Sequence, residues 1–166
     1  HCFGCGKGGN PISFIMEHEQ MTYVEALRWL AKKYHIEIHE RELSEEEKRE
    51  QSDRESMFIV NEWAMGYFSD KLHNDPDGVA IGMQYFRSRG FRDDIIKKFK
   101  LGYDLQNARA LATEALSKGY KEEFILKTGI CYKTDRGDLI DRYAGRVIFP
   151  WIGISGKVVG FGGRLL

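Results

Sequence analysis

The segment Ile130–Val159, ICYKTDRGDLIDRYAGRVIFPWIGISGKVV, decides the fold class of this 166-residue chain. Three short runs in it are rich in β-branched and aromatic residues, which favour strands. The runs are Ile130–Tyr132, Val147–Phe149 and Val158–Val159. Because turn-forming sequences such as Asp135–Gly137 and Ser155–Gly156 separate them, they are predicted to form antiparallel hairpins.

The residues before Gly129 have helical rather than strand-like spacing. Helices are predicted over 78–88, 92–99 and 107–118, with a further turn at 121–128, after a longer helix that ends near Leu72. Gly90 and Gly119 end two of them. Since the helices precede the hairpins and do not alternate with strands, the predicted fold class is α+β, not doubly wound.

A separate helical region is predicted near the beginning of the chain. Apolar residues from Ala26 to Tyr34 recur every three or four positions, and Thr22 with Glu25 has the sequence of a capping box. The spacing predicts a helix near 22–34, with a shorter helix over Ile12–His18 packed beside it.

Between these regions lies the charged stretch 40–55, ERELSEEEKREQSDRE, which has little apolar surface to bury. It is predicted to be a linker, and Ser44 with Glu47 also fits the start of a solvated helix, so both alternatives stay open. The predicted domains are 1–39, the linker 40–55, and 56–166.

Overall charge limits the classes of function. Lys and Arg total 25 and Asp and Glu total 25, which gives a net charge of +0. Any nucleic-acid-binding surface must therefore be local. No apolar run approaches the roughly 20 residues of a membrane span, and no signal leader is visible, so a cytoplasmic protein without membrane contact is expected.

Cys2 and Cys5 form a Cys-x-x-Cys pair among glycines. Two thiolates at a tight turn supply half of a tetrahedral zinc site. A dithiol oxidoreductase is the alternative, but its cysteines open a helix, whereas three glycines and Pro11 follow here. No histidine pair with zinc spacing follows, so only half a site is predicted.

Several stretches resemble bacterial DnaG-type DNA primases. His1–Ile12, Phe14–Glu17 and Tyr23–Ala31 are similar to the second half of the primase zinc ribbon. The N-terminal subdomain of the primase polymerase core is matched by Tyr85–Phe91, Phe99–Tyr103, Arg146–Pro150 and Gly156–Arg164. The order and spacing of these segments cover essentially the whole chain.

The resemblance implies a fragment of an enzyme that synthesises short RNA primers on single-stranded DNA. An upstream Cys-x-x-His pair would complete the zinc site. The Mg²⁺-binding carboxylates belong to a toprim fold expected after Leu166, and the replicative helicase would bind a C-terminal domain outside this chain. The fragment itself is expected to bind the template strand but not to catalyse primer synthesis. Asp93 and Asp94 are interpreted as a helix N-terminal pair, and Asp138 and Asp141 as hairpin-turn residues.

The resemblance also implies nucleic-acid contacts at Arg89, Arg146 and Arg164, which match family motifs associated with the template groove. Arg142 lies beside them and Lys7 beside the Cys-x-x-Cys pair, so both are added as predicted phosphate contacts, with an ordinary exposed lysine as the alternative for Lys7. Three of them, Arg89, Arg146 and Arg164, are expected to converge along one channel. Alternatively, Arg142 and Arg146 pair with Asp138 or Asp141 on the surface.

For several single residues, alternative interpretations stay open. Gly160, Gly162 and Gly163 indicate either a bulge or tight strand crossing, or the close approach of another backbone or of a nucleic-acid strand. Phe161 is interpreted either as a core residue or as one that stacks on a base. None of the three tryptophans is assigned a role. The competing function is a non-enzymatic zinc-ribbon module that binds another protein.

Overall fold

The computed structural model describes residues 4, 8–19, 21–37, 44–153 and 155–166. The chain divides into two compact units, His1–Ser44 and Glu45–Leu166. Among the described residues, no helix combines the length and apolarity that crossing a membrane requires.

The first unit contains two helices in contact, α1 (Pro11–His18) and α2 (Tyr23–Tyr34). Asn10 caps α1, because its side-chain oxygen accepts a hydrogen bond from the Ser13 amide at 2.8 Å. Thr22 and Glu25 form the capping box in full at the start of α2. The predictions for both helices are confirmed.

The second unit begins with α3 (Glu45–Asn74), a single helix of 30 residues. Residues 45–55 of the charged stretch are the first three turns of this helix, so the helical alternative holds for them. Lys127 binds Asp53 at 2.7 Å and thereby joins this part of α3 to a later helix. Residues 40–43 lie outside the described residues.

Short elements follow α3. A wide π-helical turn (Gly78–Met83) continues into α4 (Gln84–Ser88). The remaining helices are α5 (Asp93–Lys98), α6 (Ala110–Ser117) and α7 (Glu122–Lys127). The strands are β1 (Gly102–Tyr103), β2 (Cys131–Lys133), β3 (Leu139–Asp141), β4 (Arg146–Ile152) and β5 (Val158–Leu165).

The strands form two antiparallel sheets, one in the order β1-β4-β5 and the other a β2-β3 hairpin. The helices near 78–88, 92–99, 107–118 and 121–128 and the three strand runs are confirmed, and the fold class is α+β. Sequence reasoning did not predict β1 or β3, which are two and three residues long. Such short runs carry too little periodicity to be recognised.

The larger sheet separates two hydrophobic clusters. Alternate residues of β4 point to opposite faces, so Ile148 belongs to one cluster and Val147 to the other. The long helix α3 contributes to both, with Phe68 in the first cluster and Leu72 in the second. Gly102 allows β1 to lie directly against α3, because a side chain there would collide with Phe68.

Candidate nucleic-acid interface

A groove of about 500 Å³ lies on the Val147 face of the larger sheet. Five side chains line it: Tyr85, Arg89, Phe91, Phe149 and Arg164. Two cations and three aromatic rings thus share one open surface. This composition suits an unpaired nucleic-acid strand, whose phosphates attract cations and whose bases stack on rings.

Arg89 reaches the groove because of the way α4 ends. Gly90 has φ +81° and follows the helix as the left-handed residue of a Schellman motif. In this motif the Phe91 amide donates to the Phe86 carbonyl and the Gly90 amide donates to the Arg87 carbonyl, both at 3.0 Å. The rings of Phe86 and Phe91 also make contact, with centroids 5.6 Å apart. The sequence Tyr85–Phe91 therefore encodes the turn that holds Arg89.

A bidentate ion pair on the surface links the two helices on either side of this turn. Arg87 donates to both carboxylate oxygens of Asp93, at 3.0 and 2.8 Å, and so joins α4 to the first turn of α5. The hydrogen bonds from Arg87 hold the pKa of the Asp93 carboxyl below its ordinary value. Arg89, by contrast, lies 5.6 Å from the Tyr85 ring and has no carboxylate partner among the described residues. Its charge is thus available to a phosphate.

Arg164 enters the groove from β5. It pairs in register with Val147, so its side chain lies on the same face as Val147 and Phe149. It is exposed, and the described part of the chain offers it no acidic partner. Arg89 and Arg164 therefore form one cationic site with contributions from a helix end and a strand.

The structure places Arg146 on the other face of the sheet. Its Cδ lies 3.1 Å from the position that a Cβ on Gly163 would occupy, and Gly163 neighbours Arg164 in β5. Adjacent strand residues point to opposite faces, so Arg146 and Arg164 leave the sheet in opposite directions. The convergence expected of three arginines is seen for Arg89 and Arg164 and not for Arg146.

Arg142 follows β3 and has a structural contact. Its Nε donates to the Gly129 carbonyl at 2.6 Å, and its guanidinium lies 5.5 Å from the Tyr132 ring. Neither Arg142 nor Arg146 pairs with Asp138 or Asp141, so that alternative is wrong.

The three glycines of β5 have different surroundings. A Cβ on Gly163 would lie 2.5 Å from the Tyr143 ring, so glycine is required there for close packing. Phe161 packs on the same side, with its ring centroid 5.3 Å from that of Phe68, which confirms its reading as a core residue. The pairing of β4 with β5 also shifts register by one residue between Trp151 and Ile152.

Asp141 is not the turn residue that the sequence predicted. It is the last residue of β3, is buried, and accepts hydrogen bonds from the Leu111 and Ala112 amides at 2.9 Å each. It therefore caps α6 from 30 residues away, a contact that no local sequence pattern reveals. Asp138 instead pairs at the surface with Arg109, at 3.2 Å. Asp93 and Asp94 do lie in the first turn of α5, as predicted.

Asp104 is a second buried carboxylate that sequence reasoning missed. Its side chain is completely buried, and neither carboxyl oxygen has a hydrogen-bond partner. Burial, reinforced by the negative charge of Asp141, raises its pKa to about 8. Its backbone accepts a hydrogen bond from Gly145 and donates one to Arg146, so this residue supports the start of β4.

The predicted zinc ligands Cys2 and Cys5, and the predicted phosphate contact Lys7, lie outside the described residues. Within the described residues no three His, Cys, Asp or Glu side chains are grouped as a metal site. The third cysteine, Cys131, is buried with its Sγ 3.6 Å from an Asp141 oxygen, and burial raises the pKa of its thiol. A protonated, enclosed thiol is unsuited to bind metal.

Comparison with protein families identifies two matching models. Residues 67–166 match the model of the DNA primase catalytic core, N-terminal domain, and residues 1–46 match the CHC2 zinc finger. The DNA primase of Clostridium acetobutylicum is 35% identical over 99% of this chain. The chain spans only 27% of the length of that relative.

Solved structures give the same result. The zinc-binding and RNA polymerase domains of the Aquifex aeolicus primase are 28% identical over 99% of this chain, which covers 38% of that structure, with a TM-score of 0.61. The RNA polymerase domain of Mycobacterium tuberculosis primase DnaG, in complex with a double-stranded DNA oligomer with a 6-nucleotide overhang, is 27% identical. That match covers 68% of this chain and 34% of the other, with a TM-score of 0.62.

Proposed function

The chain belongs to the DnaG-type DNA primases, and from this premise we propose that it holds single-stranded template for an enzyme that synthesises RNA primers in DNA replication. The observation that carries the proposal is the groove in which Arg89 and Arg164 lie with Tyr85, Phe91 and Phe149. The DNA bound to the M. tuberculosis domain supports nucleic acid as the ligand.

The groove suits the task of a primase template site. Two arginines without acidic partners among the described residues can contact phosphates, which hold a strand regardless of its sequence. The aromatic rings offer stacking surfaces that accept every base. The Arg87–Asp93 pair and the Schellman motif keep Arg89 in place, so little order must be created when the strand binds.

The catalytic chemistry is proposed to belong to other parts of the parent enzyme. Two-metal phosphoryl transfer needs clustered carboxylates that hold Mg²⁺. The two buried carboxylates, Asp104 and Asp141, are enclosed by protein and serve the fold instead. We therefore propose that Mg²⁺ and the helicase are bound outside this chain, and that the parent enzyme works in the cytoplasm.

Zinc is proposed for the first unit. The CHC2 family model over residues 1–46 supports a zinc-binding domain in this region. Cys2 and Cys5 would supply two of its four ligands, and zinc binding would add to the stability of this domain. Lys7, close to this pair in the sequence, remains a predicted phosphate contact.

The proposal is tested by titrating the chain with a fluorescently labelled oligothymidylate at several salt concentrations. The logarithm of the binding constant falls linearly with the logarithm of the salt concentration. On a single strand, each arginine–phosphate contact makes this slope steeper by about 0.7. Arg89→Ala and Arg164→Ala are therefore each expected to weaken binding and to make the slope shallower by about 0.7.

Two variants complete this experiment. Arg136→Ala removes an exposed arginine from the β2–β3 turn, away from the groove residues, and is expected to leave the slope unchanged. Arg146→Ala shows whether the strand also contacts the opposite face of the sheet. Binding that is absent, that does not respond to salt, or that all four variants weaken equally would contradict the proposed groove.

A further inference from the structure

Trp151 is the most exposed of the large apolar side chains that the structure describes, at 69%. It has no aromatic or cationic partner in the described parts of the chain, whereas the other two tryptophans do: Trp63 lies against Tyr67 and Tyr120, and Trp29 under Lys33. An aromatic side chain of this size is highly buried on average, so its exposure on a strand requires an explanation.

Strand register places Trp151 on the face that carries the groove. Phe149 pairs with Gly162 and Trp151 pairs with Gly160, and paired residues point to the same side of an antiparallel sheet. Phe149 lines the groove together with Arg164. At about 3.4 Å per residue, Trp151 lies about 7 Å further along the same face.

The two glycines opposite these aromatic residues leave the surface open. In many sheets an aromatic ring covers a glycine on the neighbouring strand and so compensates for its missing side chain. That is not the case here, because a Cβ on Gly160 would meet nothing within 4 Å, and one on Gly162 only the Phe149 carbonyl oxygen at 3.9 Å. Beside Trp151 there is thus a strip of bare backbone rather than a packed ring.

We propose that Trp151 stacks on an unpaired base of the bound strand, and that Gly160 and Gly162 form a shelf on which the strand lies. This inference rests on the proposed function and extends its groove. Arg164 would hold a phosphate at one end of the shelf, and Trp151 would hold a base at the other. Stacking accepts all four bases, as a template site requires.

Intrinsic fluorescence of Trp151 gives a direct test. In a Trp29→Phe background the remaining tryptophans are Trp151 and Trp63, and Trp63 packs against the core. Oligothymidylate is expected to quench the fluorescence. An oligomer of equal length made of abasic sites, which keeps the phosphates but has no bases, is expected to quench it much less. Equal quenching by both oligomers would overturn the stacking.

Affinity measurements separate this inference from the proposed function. Trp151→Leu is expected to weaken oligothymidylate binding by about fivefold or more, and Trp151→Phe by less. Ile59→Ala, which removes an exposed apolar side chain from α3, serves as the control. Normal affinity of Trp151→Leu beside weakened Arg164→Ala would overturn the role of Trp151 and leave the proposed function standing. Unaltered binding in both Trp151→Leu and Arg164→Ala would overturn this inference and the proposed function together.

The shelf is tested by filling it. Gly160 does not have a positive φ and has free space where a side chain would begin, so Gly160→Ile is expected to fold normally. The new side chain should cover the shelf and lower affinity, with the circular dichroism spectrum unchanged. Full affinity in a folded Gly160→Ile variant would contradict the proposed path of the strand.

Discussion

The carboxyl group of Asp104 is expected to make this fold lose stability as the pH rises toward neutrality. The group is completely buried, and its two oxygens have no hydrogen-bond partner. Burial raises its pKa from an ordinary 3.8 to about 8, so the folded chain keeps the proton over a range in which the unfolded chain has lost it. Unfolding therefore releases a proton between these two values.

The size of the effect follows from linkage. When the unfolded state binds one proton fewer, the free energy of unfolding falls by about 1.4 kcal/mol for each pH unit. The contribution of Asp104 is thus complete below pH 3.8 and is lost progressively up to about pH 8. Between pH 5 and pH 7 the expected loss is about 2.7 kcal/mol.

Urea unfolding at pH 5, 6 and 7, followed by circular dichroism at constant ionic strength, measures this slope. Asp104→Asn removes the titrating group, so the difference between the wild type and the variant isolates its contribution from that of other groups. Asp94→Asn is the control, because its exposed carboxyl is hydrogen-bonded to Arg92, has a lowered pKa, and does not titrate in this range. If the free energy of unfolding changed with pH to the same extent in the wild type and in Asp104→Asn, the folded chain would hold Asp104 ionised. That result would refute the reasoning.

Two further predictions concern stability and are checked by the same urea unfolding. Asp141→Ala leaves two amides of α6 without their acceptor and is expected to cost about 2 kcal/mol, whereas Asp138→Ala removes only a surface pair and should cost less than about 1 kcal/mol; similar losses in both variants would contradict the capping role. Gly102→Ala forces β1 away from Phe68 and should destabilise by about 1–3 kcal/mol, whereas Gly66→Ala on the exposed side of α3 meets nothing and should stabilise by about 0.5–1 kcal/mol. If Gly102→Ala and Gly66→Ala changed the free energy of unfolding in the same direction, this second prediction would be refuted.

Interactions within a few residues were predictable from the sequence. The capping box of Thr22 with Glu25 and the glycine that ends α4 depend on neighbours at fixed spacing, so the letters alone define them. The same holds for the alternation of strands and turns after Gly129, and hence for the α+β class. The zinc-ribbon and primase-core motifs are also local runs, which is why the order of residues is enough to recognise the family.

The roles of the long-range residues became visible only in the folded chain. Asp141 looked like a turn residue because its two hydrogen bonds go to a helix 30 positions away. Asp104 gave no signal at all, since nothing in its neighbours indicates that both oxygens are enclosed without a partner.

The sequence by itself determined the elements, the fold class and the family, because those depend on periodicity and on short motifs. The tertiary structure decided which side chains share a surface. Arg146 and Arg164 look equivalent in the sequence, but the pairing of β4 with β5 sends them to opposite faces of the sheet. The same register places Trp151 beside the groove, because strand side chains alternate and a shift of one residue would reverse every assignment.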